Sequence, residues 1–286
     1  MDDPRRLWTL IEPYHATIYF APEVPAAFEA IGVRGFWRSY FAGRAAPLGR
    51  VEAGVVTACF YGFHPGFVAR AVPSVWSLVT PETAIETRLR GVHAGLRRLL
   101  DVQGRHADMV EAAELLQGAW HRSSEAGRPV FAANAELAWP TEPDLALWHA
   151  ATLVREHRGD AHVAALTVAG LDPCEAHVTQ TAASGASLET IQPYRGWADA
   201  DWRDAAIRLQ ERGWLDAAGQ LTEAGRAGRA AVEHDTDRLA AAPLERLGPG
   251  ERDRLLGLLE SIVAPLIRSG AIPYPNPIGV PAPDST

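Results

Sequence analysis

Trp148-His-Ala-Ala-Thr-Leu-Val-Arg-Glu-His-Arg-Gly-Asp-Ala-His-Val163 is the stretch on which the fold turns. It sets Arg155, Glu156, His157, Arg158, Asp160 and His162 between two apolar runs. Unpaired charge is costly to bury, so this cluster must be paired, solvated or used. The pattern predicts a helix over 142–158 that closes at Gly159. Asp160 then reads as the N-cap of a short apolar helix, 161–169. Leu145, His149, Leu153 and His157 repeat every four residues and share one face with Glu156. Two readings stay open. In one, His149, Glu156 and His157 converge on a pocket, with Asp160 and His162 folding back toward it. In the other, Arg155, His157 and Arg158 are last-turn cations complementing the helix dipole, and Asp160 is only a cap.

Working outward, the pattern is helical nearly throughout. Thr80-Pro81-Glu82 reads as N-cap, first-turn proline and first-turn acid. Behind it, Ile85, Leu89, Val92, Leu96 and Leu99 step by four and three, one stripe of an amphipathic helix. Residues 107–121 read the same way, with Met109, Ala112, Ala113, Leu116 and Trp120 inward. The first 80 residues are richer in aromatics, and Pro13, Pro22, Pro25, Pro47, Pro65 and Pro73 break them into short helices. No run of alternating strands and no solenoid repeat is present. The expected fold is all-α with a minor β hairpin: a helical ligand or active-site domain over 1–180, a winged-helix-like domain with a closing helix over 181–270, and an extended tail over 271–286.

The C-terminal expectation rests on residues 188–241, read as helix, helix, short hairpin, long helix. A helix over 200–212, capped by Asp199 or Asp201, turns Trp202, Ala205, Ile207 and Leu209 inward. Asp216-Ala-Ala-Gly-Gln-Leu-Thr222 is a short hairpin running into the next helix. The string Leu209-Gln-Glu-Arg-Gly-Trp-Leu with Gly219-Gln-Leu-Thr-Glu-Ala-Gly225-Arg resembles the recognition helix, wing and following helix of MarR-like winged-helix regulators. Beyond this module, Glu12-Pro-Tyr-His15, Gly35-Phe-Trp-Arg-Ser-Tyr-Phe-Ala-Gly-Arg-Ala-Ala-Pro-Leu-Gly49 and Arg155-Glu-His-Arg-Gly-Asp-Ala-His162 are similar to an actinobacterial family of cytoplasmic, helix-turn-helix-like proteins. That resemblance implies a fold; it assigns no activity and no site residue.

Composition narrows the chemistry. The chain has 286 residues, 47% of them hydrophobic, and no apolar run reaches the ~20 residues of a membrane span. No secretory leader is read at Met1-Asp-Asp-Pro-Arg-Arg, and two cysteines give neither a disulfide framework nor a zinc ribbon. The expected setting is cytoplasmic. No lysine is present, so all 27 basic residues are arginine. Schiff-base chemistry, P-loop phosphate binding and Ser-Lys catalysis are thereby excluded. The net charge of −8 disfavours DNA as a partner. Asp199, Asp201 and Asp204 at the start of the 200–212 helix would meet phosphates of like charge, although Arg203, Arg208 and Arg212 follow. A structural or dimerisation role for the module, and hence a homodimer, stays open.

Candidate site residues come from separate segments. Glu12 and His15 share a helical face across Pro13, either in a site or as a core histidine bonded to a carboxylate. Arg44, beside Trp37 and Tyr40, could stack on rings and grip an anion, or merely snorkel at the surface. His64 and nearby phenylalanines form an apolar pocket wall or plain core. Glu12, His15, His149, His157, Asp160 and His162 carry metal-binding atoms, yet no His-Glu-x-x-His string exists; no metal ligand is assigned and the cofactor is unknown. The leading expectation is an enzyme acting on a small organic molecule, partly aromatic or anionic. His15 or His157 would be its acid/base, Glu12 or Glu156 would orient the imidazole, and Arg44 or Arg155 would stabilise negative charge. The alternative is a small-molecule sensor with a winged helix, acting as a transcriptional regulator or a sequestration protein. In either case the pocket should lie in the N-terminal domain or at its junction with the module.

Overall fold

A computed structural model describes residues 4–121, 123–184 and 187–280. The first helices are short: α1 (Pro4–His15), α2 (Thr17–Phe20), α3 (Glu23–Ala30), α4 (Phe36–Ala45), α5 (Ala53–Phe60) and α6 (Pro65–Val68). The long body helices are α7 (Pro81–Leu99), α8 (His106–Trp120), the short α9 (Pro129–Ala135) and α10 (Pro143–Val168). The module follows as α11 (Pro173–Ser184), α12 (Asp199–Glu211) and α13 (Glu223–Leu244), and α14 (Pro249–Arg268) closes the chain. Among the described residues the β structure is one antiparallel bridge, Leu215 to Leu221. The chain is therefore all-α.

The stretch read first behaves differently from its expectation. Helix α10 runs unbroken through Gly159, so Arg155, His157 and Arg158 are mid-helix and not in a last turn. A glycine inside a helix costs only ~1 kcal/mol. Packing against α1, α8, α9 and α13 on successive faces offsets that cost. Asp160 consequently caps another helix. Its Oδ2 accepts from the backbone N–H of Val130 at 3.1 Å and of Phe131 at 2.9 Å, at the start of α9. Arg128, the residue preceding α9, supplies no side-chain cap of its own.

Helix α7 begins as read, with Thr80 Oγ1 accepting from the Thr83 N–H at 3.2 Å. Its deepest face is Ala84, Thr87, Arg88, Gly91 and Gly95 together with Val92 and Leu96, while Ile85 and Leu89 are only half-buried. The small residues let α3 approach closely: a Cβ on Gly91 would stand 2.6 Å from Val24 Cα.

Two apolar clusters share α10. The larger gathers residues from Leu7 to Val154 and takes in Leu244 to Leu266 of the last two helices, with Ile272 and Val280 beyond them. Helix α14 thus packs back on α1 and α8. The tail residues 271–280 lack regular structure but lie against the body, while 281–286 fall outside the described residues. The smaller cluster joins Ala165 and Leu166 at the end of α10 to Cys174, Trp202, Ala205, Leu209, Leu215, Leu221 and Val232. Ile207, read as inward, is 49% exposed, because the buried stripe of α12 is Trp202, Ala205 and Leu209. Residues 188–194 are two 3-10 turns. The preceding helix, α11, opens with a reciprocal box: the Glu175 N–H donates to Asp172 Oδ1 at 2.8 Å and the Asp172 N–H to Glu175 Oε2 at 2.9 Å.

Candidate functional site: an arginine-lined cavity

A cavity of about 250 Å³ lies where α1, α4 and α10 meet α11, α13 and the tail segment 277–279. Five arginines line it: Arg44, Arg155, Arg158, Arg195 and Arg229. Glu12, Glu233, His162 and His177 are the other ionisable lining groups, and Trp8, Ile191 and Ile278 supply apolar surface. Helical spacing sets the floor: Arg155, Arg158, Gly159 and His162 occupy successive positions on one face of α10.

The α10 side of the cavity is a paired network. Arg155 Nε donates to Glu12 Oε1 at 3.2 Å and its Nη1 to Glu156 Oε1 at 2.8 Å. Arg44 Nη2 reaches Glu156 Oε2 at 3.4 Å, its Nη1 donates to the Tyr40 hydroxyl at 3.1 Å, and its guanidinium lies 4.1 Å from the Phe60 ring centre. Burial alone would raise the Glu156 pKa, but Arg155 and Arg44 overcome it and hold the carboxyl at about 2. Arg158 pairs with Asp237 at 2.5 Å and Glu233 at 3.5 Å.

The module side is not balanced in this way. Arg195 is 8% exposed and, among the described residues, donates only to the backbone carbonyls of Tyr194 and Pro277, with its guanidinium 5.0 Å from the Phe63 ring centre. Desolvation lowers its pKa to about 10. Arg229, 9% exposed, shares Glu233 with Arg5 and Arg158, and its Nη1 has no partner among the described residues. His162 Nδ1 lies 2.9 Å from Thr236 Oγ1, and His177 Nε2 lies 3.2 Å from the Gly62 carbonyl. Burial, then Arg229, lowers the pKa of His162; burial, then Arg195, lowers that of His177 to about 3. Both imidazoles are neutral at pH 7.

Of the residues singled out from sequence, Glu12, Arg44, Arg155 and His162 line the cavity, and Glu156 lies directly behind it. The others lie elsewhere. His15 is sealed between Thr152 and Tyr19, at 3.1 and 3.2 Å, and stacks on Trp148. Its neighbour in the helix, Glu12, is not its partner. His157 sits edge-on to Phe131 with its pKa lowered to about 3 by burial and Arg128, and His149 sits edge-on to Trp139. Trp37 belongs to an aromatic cluster with Phe41, Phe63 and Phe67, to which Tyr40 adds its ring. His64 caps α6, accepting the Gly66 N–H at 3.0 Å. Among the described residues no three His, Cys, Asp or Glu side chains gather as metal ligands. Sequence reasoning missed Arg195, Arg229, Glu233 and His177 as cavity residues. Arg229 and Glu233 are four apart on one face of α13, which was the available signal.

These features define an all-helical protein with an arginine-lined hollow where α1, α4 and α10 meet α11 and α13. A helix-turn-helix family matches residues 4–273, and the chain belongs to it. No curated protein and no solved structure matches the chain. No helix among the described residues is long and apolar enough to cross a membrane.

Proposed function

We propose that this protein is a ligand-responsive helix-turn-helix regulator. A small molecule held in the cavity sets how the module sits on the body, and the output is binding of duplex DNA. The observation that carries this reading is the shared wall. Glu12, Arg44 and Arg155 come from the body, while His177, Gln180, Arg229 and Thr236 come from α11 and α13. A ligand there contacts both parts at once, and only such differential contact shifts an equilibrium between arrangements. Membership of the family raises DNA above the standing that the net charge of −8 gives it. The acid/base enzyme reading has weaker support, since neither His15 nor His157 borders the hollow.

A second reading draws on α12 itself. Arg208 is engaged with Asp172 and Glu175, and Arg212 with the Gly170 and Ala169 carbonyls and the Trp214 ring. Arg203 and Asp204 remain on the exposed face. Such a helix has few cations left for phosphates, which favours a protein that sequesters its ligand without touching nucleic acid. Selection from a random duplex library, followed by anisotropy titrations at several salt concentrations, separates the two. Sequence-selective binding that weakens with salt supports the regulator. Failure to enrich any duplex leaves sequestration.

A further inference from the structure

We infer that the cavity ligand is a small organic oxyanion, a carboxylate or a phosphate monoester with an apolar body, and that Arg195 and Arg229 hold its charged end. This rests on the reading of the cavity as a ligand site and names the chemistry that fills it.

The charge balance leads there. Of the five arginines that line the hollow, Arg44, Arg155, Arg158 and Arg229 pair with the carboxylates of Glu12, Glu156, Glu233 and Asp237, and Arg195 with none among the described residues. One positive charge is left over among these lining groups, and the neutral imidazoles of His162 and His177 add none. The surplus is localised. Arg195 has no carboxylate among the described residues, and Arg229 competes for one that two other arginines also use. A buried, uncompensated guanidinium is costly, and an oxyanion accepting two parallel N–H bonds is the partner its geometry suits. The space is set by the hollow itself. Its volume of about 250 Å³ lies just below the ~300–1,000 Å³ usual for small-molecule sites. Trp8, Ile191 and Ile278 give an apolar wall that inorganic phosphate alone would not use.

Burial without a carboxylate does not by itself make a site, and Arg88 is the control within the same molecule. It is buried too, donates to Gly43 O at 3.0 Å and Asn134 Oδ1 at 3.2 Å and leaves its Nε without a partner among the described residues, but it does not line the cavity, so only the adjoining space sets Arg195 apart.

The test is calorimetric titration of the full chain with benzoate, phenyl phosphate, inorganic phosphate and neutral benzyl alcohol, in chloride buffer. Benzoate or phenyl phosphate is expected to bind at least about tenfold more tightly than benzyl alcohol, because each charged hydrogen bond contributes roughly 1.5–3 kcal/mol. Arg195→Gln and Arg229→Gln are each expected to weaken that binding roughly 10- to 100-fold. Arg195→Gln gives up its hydrogen bonds to the Tyr194 and Pro277 carbonyls and Arg229→Gln its pair with Glu233, so the loss of anion affinity, and not the melting temperature of the unliganded variants, decides the ligand role. A purely structural role would lower the melting temperature and leave the affinity unchanged. The inference is overturned if no anion binds above the neutral control, or if both variants bind as the wild type does. Duplex binding is scored separately. Anion binding without any duplex supports the ligand class and sinks the regulator. Duplex binding with no anion binding above the neutral control supports a duplex-binding output and sinks the ligand class, whereas anion binding that leaves duplex binding unchanged supports the ligand class and sinks the ligand response.

Discussion

Arg88 in the body and Arg195 at the junction are both buried, and neither meets a carboxylate. Their surroundings part company after that. Packed protein surrounds Arg88, with a carbonyl, an amide oxygen and the face of Trp148, 5.4 Å away, although its Nε has no partner among the described residues. Arg195 borders open volume shared with four other arginines. An unmatched cation thus becomes evidence for a ligand only where there is room to receive one. The same contrast holds for imidazoles. His15, His149 and His157 are packed against rings in the body, whereas His162 and His177 edge the hollow.

The body side of this comparison is the easier to break. Glu156→Ala would strand Arg155 and Arg44 without their shared counter-charge. A loss of about 3–5 kcal/mol in denaturant unfolding is expected, the usual cost of orphaning one member of a buried pair. A loss below ~1 kcal/mol would mean that the network is wetter than its burial implies. Next in size, Arg88→Gln should lose about 1–3 kcal/mol by leaving buried acceptors unpaired. Arg195→Gln should lose less, because the open volume beside it lets water reach the Tyr194 and Pro277 carbonyls that it leaves. Equal losses at the two positions would erase the distinction between them.

The contrast extends to the pH dependence of single histidines. Folded-state pKa values of about 4 for His149 and about 3 for His177 lie below the ordinary 6.5, with burial the first cause in each. The unfolded chain then binds more protons than the folded one between pH 6.5 and those values. Stability is full above pH 6.5 and falls as the pH drops through that window. Glu156 adds a separate loss below pH 4.5, toward its folded value of about 2. Benzoate or phenyl phosphate in the cavity would favour the protonated form of His177 and raise its pKa. His149, edge-on to Trp139, should not respond. Imidazole NMR titrations with and without the anion would sharpen the contrast, and parallel shifts at both residues would collapse it.

The sequence discloses the all-helical class, the start of α7, the inward face of α8 and the closing helix, because each is written in local periodicity or in a cap. Other features depend on packing. Gly159 carries a helix-stop signal that is local, and four neighbouring helices overrule it. Ile85 and Leu89 advertise a stripe, yet the small residues beside them take the tightest contact with α3. Asp172 and Glu175, three residues apart, spelled out the start of α11, a legible signal that the reading of the sequence passed over. For the cavity, the α10 charge cluster pointed to the correct neighbourhood. It did not reveal that His157 and His149 turn away from the hollow, since one long helix presents different faces to different partners. Arg195 and Arg229 look like ordinary surface arginines in one dimension. Only the tertiary arrangement strips them of water.

The continuity of α10 has a further consequence. At 1.5 Å per residue its 26 residues form a rod of about 39 Å, one end embedded in the larger apolar cluster and the other in the smaller. The short link 169–172 lies beyond Ala165 and Leu166, which already belong to the smaller cluster. The module is therefore not tethered to the body in the manner of a bead on a string, and it cannot melt alone without unwinding part of the shaft that also anchors its neighbour.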